Sequence, residues 1–230
     1  MDFPHLQSCW NTLQEARSHS GDLEADQEKR HYAKKERTVF IPIHLPRILP
    51  RHVQSIGQPH LRTFKCRLPD NLIQCLPKIV QACDRYAASH GGWETQLFSV
   101  TRQDIALADV RECALLSHCI TNAVTETVHA ILGSHVYMDR NQPHILKYDA
   151  GHRMTPFHHD HCHLTINLML SSRQSYQGGG TQILDVGTVM LDQGEYLIHP
   201  GPLLHRGCEI TQGTRYLLVF FVNFLHPPHF

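Results

Sequence analysis

The sequence predicts an α+β protein: a double-stranded β-helix (jelly-roll, cupin-like) barrel with supporting helices. Two observations carry this. Residues 70–133 hold two stretches with apolar side chains at i, i+3, i+4 spacing, and beyond Gly133 the apolar period falls from 3.6 to 2. Six short alternating runs then follow, punctuated by Gly, Pro and Asp, the pattern of helices laid on a double antiparallel sheet.

The bulk numbers fit that size of fold. At 230 residues the chain suits one sizeable domain, expected over 38–230 with its core at 143–224. Lysine plus arginine is 21 and aspartate plus glutamate 21, so no global field draws it to nucleic acid or a membrane. No apolar run approaches the ~20 residues that span a bilayer, and no secretory pattern opens the chain. A soluble intracellular protein, cytoplasmic or nuclear, is the expectation. Eight scattered cysteines without a Cys-x-x-Cys read as reduced thiols in the core. Twenty histidines raise the odds of a metal site and of chance matches alike, so spacing must discriminate.

Taken in order, residues 1–37 read as a partly flexible appendage. Phe3, Leu6, Trp10 and Leu13 recur at helical spacing. An acidic run (Asp22 to Glu28) precedes a basic one (Lys29 to Arg37), read as a solvated helix in preference to a nucleic-acid arm. Thr38 to Leu45 reads as a strand, and Leu45 to Pro59, with three prolines, as a loop. Asp70 is placed to cap a helix running to about Ser89, which Pro77 should kink or split. Gly91-Gly92 ends it, and Trp93 to Val100 reads as a strand. A second helix follows Asp109, with Leu116, Ile120, Val124, Val128 and Ile131 on its buried stripe, and stops at Gly133. The six alternating runs are His135 to Met138, Pro143 to Tyr148, Leu164 to Ser171, Thr181 to Val186, Glu195 to His199 and Thr214 to Asn223.

The period of two also assigns faces. Leu164, Ile166, Leu168 and Leu170 make a core face; Thr165, Asn167 and Met169 make a mixed one that suits a cavity lining. On the last strand Arg215 shares a face with Leu217, Val219 and Phe221. A buried arginine there costs several kcal/mol unless an anion meets it, so an anionic ligand is expected.

Two imidazoles and one carboxylate on a single face of a metal ion leave adjacent positions open, as non-haem Fe(II) requires. His158 and Asp160, two residues apart on an extended segment, point the same way. His205 is placed to close the triangle, and Arg215 follows it by ten residues.

The pieces YDAG (148–151), PFHHDHCHLTIN (156–167), GGGTQI (178–183), HPGPLLHRG (199–207) and GTRYLLVFFV (213–222) resemble the Fe(II)/2-oxoglutarate-dependent dioxygenases, closest to the lysyl and prolyl hydroxylase branch. The likeness covers about a third of the chain. It implies His158, Asp160 and His205 as iron ligands and Arg215 as a bidentate partner for the distal carboxylate of 2-oxoglutarate. It also implies Tyr148 as a co-substrate hydrogen-bonder, with Thr181 and Asn167 as softer candidates. Fe(II), 2-oxoglutarate and, optionally, ascorbate are the implied cofactors. The implied reaction decarboxylates 2-oxoglutarate to succinate and CO2 while hydroxylating a peptidyl proline or lysine.

The alternatives weighed are a cupin-type metalloprotein that does not use 2-oxoglutarate, a non-catalytic binding protein on an oxygenase barrel, and oxidation of a nucleobase or small molecule. His199 rivals His205, but His199-Pro200-Gly201 reads as a turn and the interval from His205 to Arg215 matches the family. His159, His161 and His163 crowd the same loop and could touch substrate or a second metal. Each candidate has a bland reading: Tyr148, Thr181 and Asn167 as packing, Asp160 as a turn residue. The absence of a targeting segment, and a chain end soon after the Arg215 strand, set the expectation against collagen as substrate.

Overall fold

The computed structural model describes residues 49–58, 61–97, 100–138 and 141–225. The expected appendage 1–37 and the strand expected from Thr38 to Leu45 lie outside the described residues.

The expected loop before Pro59 holds a strand after all. β1 (Val53–Ile56) forms a hairpin with β2 (Thr63–Arg67). Its two polar central residues hide the pattern, and the ladder supplied by β2 outweighs the weak local preference. Residues 70–89 divide into α1 (Asp70–Ile73) and α2 (Leu76–Ser89). Pro77 sits in the first turn of α2, where its missing N–H interrupts no helical bond. Asp70 is not the cap. Pro69 takes that position, and the Asp70 carboxylate meets Arg67 at 3.4 Å instead.

The strand expected from Trp93 is shorter, β3 (Glu94–Leu97), and pairs with an unforeseen β4 (Val100–Ala106) whose polar Thr-Arg-Gln-Asp run masks it. Two single 3-10 turns delay α3 (Ala114–Leu132) beyond Asp109. Gly133 ends it in the left-handed region at φ 66°, as a C-terminal glycine should.

The six alternating runs all become strands: β5 (Val136–Tyr137), β6 (His144–Tyr148), β7 (Leu164–Met169), β9 (Thr181–Ile183), β11 (Glu195–Pro200) and β14 (Arg215–Phe224). Between them stand β8 (Tyr176–Gly178), β10 (Gly187–Val189), β12 (His205–Gly207) and β13 (Ile210–Gly213), too short to show alternation. A nine-stranded sheet runs β1-β2-β11-β7-β14-β6-β4-β3, with β5 also on β14, and its pairings are antiparallel. β10-β9-β12 and β13-β8 make two smaller antiparallel sheets.

One face of the large sheet meets the helices. The Tyr196 hydroxyl donates to Thr127 Oγ1 of α3 at 2.8 Å. The Tyr216 hydroxyl and the Trp93 indole donate to Asp84 of α2 at 2.9 and 3.1 Å. Register fixes what shares the opposite face: Tyr148 beside Arg215, Leu146 and Met169 beside Leu217, Asn167 beside Val219 and Leu197, and Thr165 between Phe221 and His199. Among the described residues no helix is long and apolar enough to cross a membrane.

Candidate functional site

His158 and His205 come together because the segment before β7 pairs with β12. The two residues exchange backbone hydrogen bonds, His158 N to His205 O at 2.9 Å and His205 N to His158 O at 3.0 Å. Asp160 is held by its own N–H on Gly201 O at 2.9 Å. The ligand atoms of His158, Asp160 and His205 all lie within 4.8 Å of one another, the one such group of three among the described residues. His158 Nε2 is 3.5 Å from Asp160 Oδ1, and His205 Nε2 is 3.1 Å from Asp160 Oδ2.

The polarity of each group suits a cation. A carbonyl only accepts, so the Nδ1 atoms of His158 and His205 carry the protons donated to Pro156 O and Leu203 O, at 2.9 and 2.8 Å. Each ring then turns Nε2 toward the carboxylate. Burial alone would raise the Asp160 pKa, but the His205 contact, the His158 charge and the Thr165 hydroxyl overcome it and hold the group ionised, well below the usual carboxylate range. Burial likewise opposes a charge on His205, and the hydrogen bond that the charged ring donates to Asp160 outweighs it, raising that imidazole's pKa. Two neutral-capable imidazoles and one carboxylate are a donor set that fits Fe(II).

Arg215 is the second half of the site. Among the described residues it is the largest fully buried side chain, at 0 % exposure, and Nε, Nη1 and Nη2 have no hydrogen-bond partner among them. Its guanidinium carbon stands 5.1 Å from the centre of the Tyr148 ring, its cross-strand neighbour. A Cβ on Gly179 (φ 75°) would come within 3.4 Å of Arg215 Cδ and 3.0 Å of the Tyr176 ring, so the glycine run lets backbone close over the arginine. Five donors with no acceptor among the described residues, buried from water, fit an anion and in particular a carboxylate.

The other candidates separate. Tyr148 is buried beside Arg215. Thr181 is buried opposite Gly207, on the face of the small sheet that carries His205. Asn167 donates from Nδ2 to His199 Nε2 at 3.3 Å. His199 lies within β11, which corrects the turn expected at that point: the strand continues to Pro200 and the turn begins at Gly201. It is fully buried against the edge of His205, with ring centres 4.4 Å apart. Of the crowded histidines, His159 Nδ1 donates to Pro202 O at 2.6 Å and His163 Nδ1 bonds Asn223 Oδ1 at 2.9 Å. The residue that sequence reasoning missed is Thr165, whose hydroxyl donates to Asp160 Oδ2 at 2.6 Å. Its alternation on the mixed face of β7 was the available signal.

No protein-family model matches the chain. Over 132 residues, 54 % of the chain, it is 32 % identical to the procollagen lysyl hydroxylase and glycosyltransferase of Acanthamoeba polyphaga mimivirus, of which that stretch is 15 %. Over 104 residues, 42 % of the chain, it is 34 % identical to the multifunctional procollagen lysine hydroxylase and glycosyltransferase LH3 of Rattus norvegicus, covering 14 % of it. The chain thus spans about one seventh of these relatives. Among solved structures, EctD from S. alaskensis with bound Fe superposes with a TM-score of 0.52 at 11 % identity, over 81 % of this chain and 85 % of that one.

The chain is thus similar in sequence to procollagen lysyl hydroxylases and in fold to EctD, and its described residues carry a two-imidazole, one-carboxylate triad.

Proposed function

We propose that this chain is an Fe(II)- and 2-oxoglutarate-dependent hydroxylase, with a peptidyl lysine or proline as substrate, built on a double-stranded β-helix barrel. The observation that carries the reading is Arg215, a fully buried guanidinium whose nitrogens find no hydrogen-bond partner among the described residues. Tyr148 links it to the triad. Its ring lies beside the guanidinium, and its hydroxyl sits against Gly207, two residues beyond His205. The same contacts support closure of the large and small sheets into a barrel.

In this reading His158, Asp160 and His205 hold the iron, and Arg215 forks onto the far carboxylate of 2-oxoglutarate. Iron with bound 2-oxoglutarate supplies the dioxygen chemistry, oxidative decarboxylation to succinate and CO2, that protein side chains lack. The chain's own contribution is position and polarity. The backbone carbonyls of Pro156 and Leu203 fix both imidazole tautomers. Tyr148, Leu217, Val219 and Met169 line the face that carries the arginine and keep water from the ion pair it would form. The hydroxylase names of the sequence relatives support the substrate class.

The test is succinate formation from 2-oxoglutarate with Fe(II), parent against His158→Ala, followed by a peptide and metabolite screen for gain of one oxygen atom. Succinate from the parent alone is expected. Absence of turnover together with absence of any 2-oxoglutarate-dependent rise in Tm would overturn the reading in favour of a binding protein or a cupin-type metalloprotein.

A further inference from the structure

We propose that Thr165 is a positioning residue for the metal, acting through Asp160; the inference rests on the triad reading above. A carboxylate on a mobile torsion can turn either oxygen, or both, toward a cation. Here one rotation is selected. Asp160 is 9 % exposed, and its Oδ2 accepts from Thr165 Oγ1 at 2.6 Å, a short charge-assisted bond.

The direction of that bond is fixed by chemistry. The ionised Asp160 only accepts, so the Thr165 proton is committed to it. The lone pairs of Thr165 Oγ1 are then open to Cys162 Sγ, 3.4 Å away. The thiol also approaches Leu164 O at 3.2 Å. Thr165 is itself 1 % exposed, in the middle of the large sheet, with Phe221 and His199 as cross-strand neighbours. It is β-branched, so its χ1 is stiff and the hydroxyl does not wander. A rigid strand therefore grips a ligand that comes from a loop, on the oxygen other than the one nearest His158.

Thr165 engages one lone pair of Oδ2, which leaves Oδ1 as the oxygen least encumbered for a cation. The hydroxyl thus biases Asp160 toward one-oxygen ligation. This keeps adjacent positions around the ion open for a bidentate co-substrate. Valine has nearly the same shape and lacks the donor, so it separates packing from hydrogen bonding.

The test is Co(II) titration of metal-free full-length protein, followed by visible d–d absorption, for parent, Thr165→Val, Thr165→Ser and His158→Ala. Thr165→Val should bind Co(II) roughly 10- to 100-fold more weakly than the parent, the range for losing such an outer partner. Its absorption should fall in intensity as the carboxylate turns both oxygens to the metal. Thr165→Ser should restore affinity and spectrum to near parental values. Thr165→Val matching the parent, or Ser and Val equally impaired, would overturn the proposal and leave the triad standing. A parent that binds Co(II) no better than His158→Ala would remove the triad reading and this proposal together.

Discussion

Tyr148 and Gly207 exclude one another's growth: a Cβ on Gly207 would lie 2.8 Å from the Tyr148 hydroxyl and 3.1 Å from Thr155 Oγ1. Thr155 is already tied down, since it accepts the Gly207 N–H at 2.7 Å. The tyrosine, whose hydroxyl makes the shortest of these contacts, is the group expected to give way. Gly207→Ala should move Tyr148 off Arg215 while leaving His205 in its bridge. The expected result is 2-oxoglutarate binding weakened about tenfold with Co(II) affinity nearly unchanged, read by calorimetry on the same sample. Equal loss of both would show that the strand, and not the tyrosine, had shifted.

Arg215→Met should make the empty protein more stable. The guanidinium is buried without an acceptor among the described residues, and replacing an unpaired buried charge with an apolar side chain of similar length relieves a penalty of order 1–3 kcal/mol. For a chain of this size that corresponds to a rise in Tm of several degrees. The same variant should lose the further rise that, on the proposed reading, millimolar 2-oxoglutarate would give the parent. Arg215→Lys should not recover it, because an ammonium cannot fork onto a carboxylate. A parental Tm shift retained in Arg215→Met would place the anion elsewhere.

His199 sets an acid limit on the metal-free fold. Burial, with His205 beside it, pushes its pKa down to about 3 from 6.5. Its Nδ1–H donates to Pro200 O at 2.9 Å while Nε2 accepts from Asn167, so the ring is held neutral. A depressed pKa means stability that is full above about pH 6.5 and is lost as pH falls toward 3. Between pH 7 and 5 the loss is roughly 2 kcal/mol. Urea midpoints should therefore fall more steeply with acid for the parent than for His199→Gln. His205, whose pKa is raised, acts in the other sense and is common to both proteins. Parallel acid limbs would show that His199 is protonated in the fold.

Asp84→Ala should loosen α2 from the large sheet. That carboxylate is the shared acceptor of the Tyr216 hydroxyl and the Trp93 indole. Two donors lose their partner, at a cost of about 2–3 kcal/mol in chemical denaturation. Triad affinity for Co(II) should hold, since no ligand touches α2. A variant as stable as the parent would mean that water replaces the carboxylate.

Much of the site was legible because its chemistry is written in short intervals. His158 and Asp160 sit two apart on extended chain, and Arg215 alternates with Leu217 and Val219 on a strand whose apolar pattern is plain. The parts that hold the site were not legible in the same way. Thr165 reads as one more β-branched strand residue until Asp160 is seen beside it. His199 looked like a turn because Pro200-Gly201 follows it, yet β11 has partners on both sides, β2 and β7, and that ladder carries the strand to the proline. β1, β8, β10, β12 and β13 span three or four residues each, below the length at which alternation distinguishes strand from loop. Pro77 was informative in kind and misleading in place, since a proline that divides a helix also starts the next one well.

The enclosure of Arg215 beneath Tyr148 and Gly179 also bears on how the protein would fare inside a cell. On the proposed reading, a resident dicarboxylate is the counterion that the folded chain lacks when alone. Turnover by proteases follows the population of opened molecules, so scarcity of that metabolite would shorten the protein's lifetime before it slowed any reaction. Abundance of the chain would then report on central carbon supply.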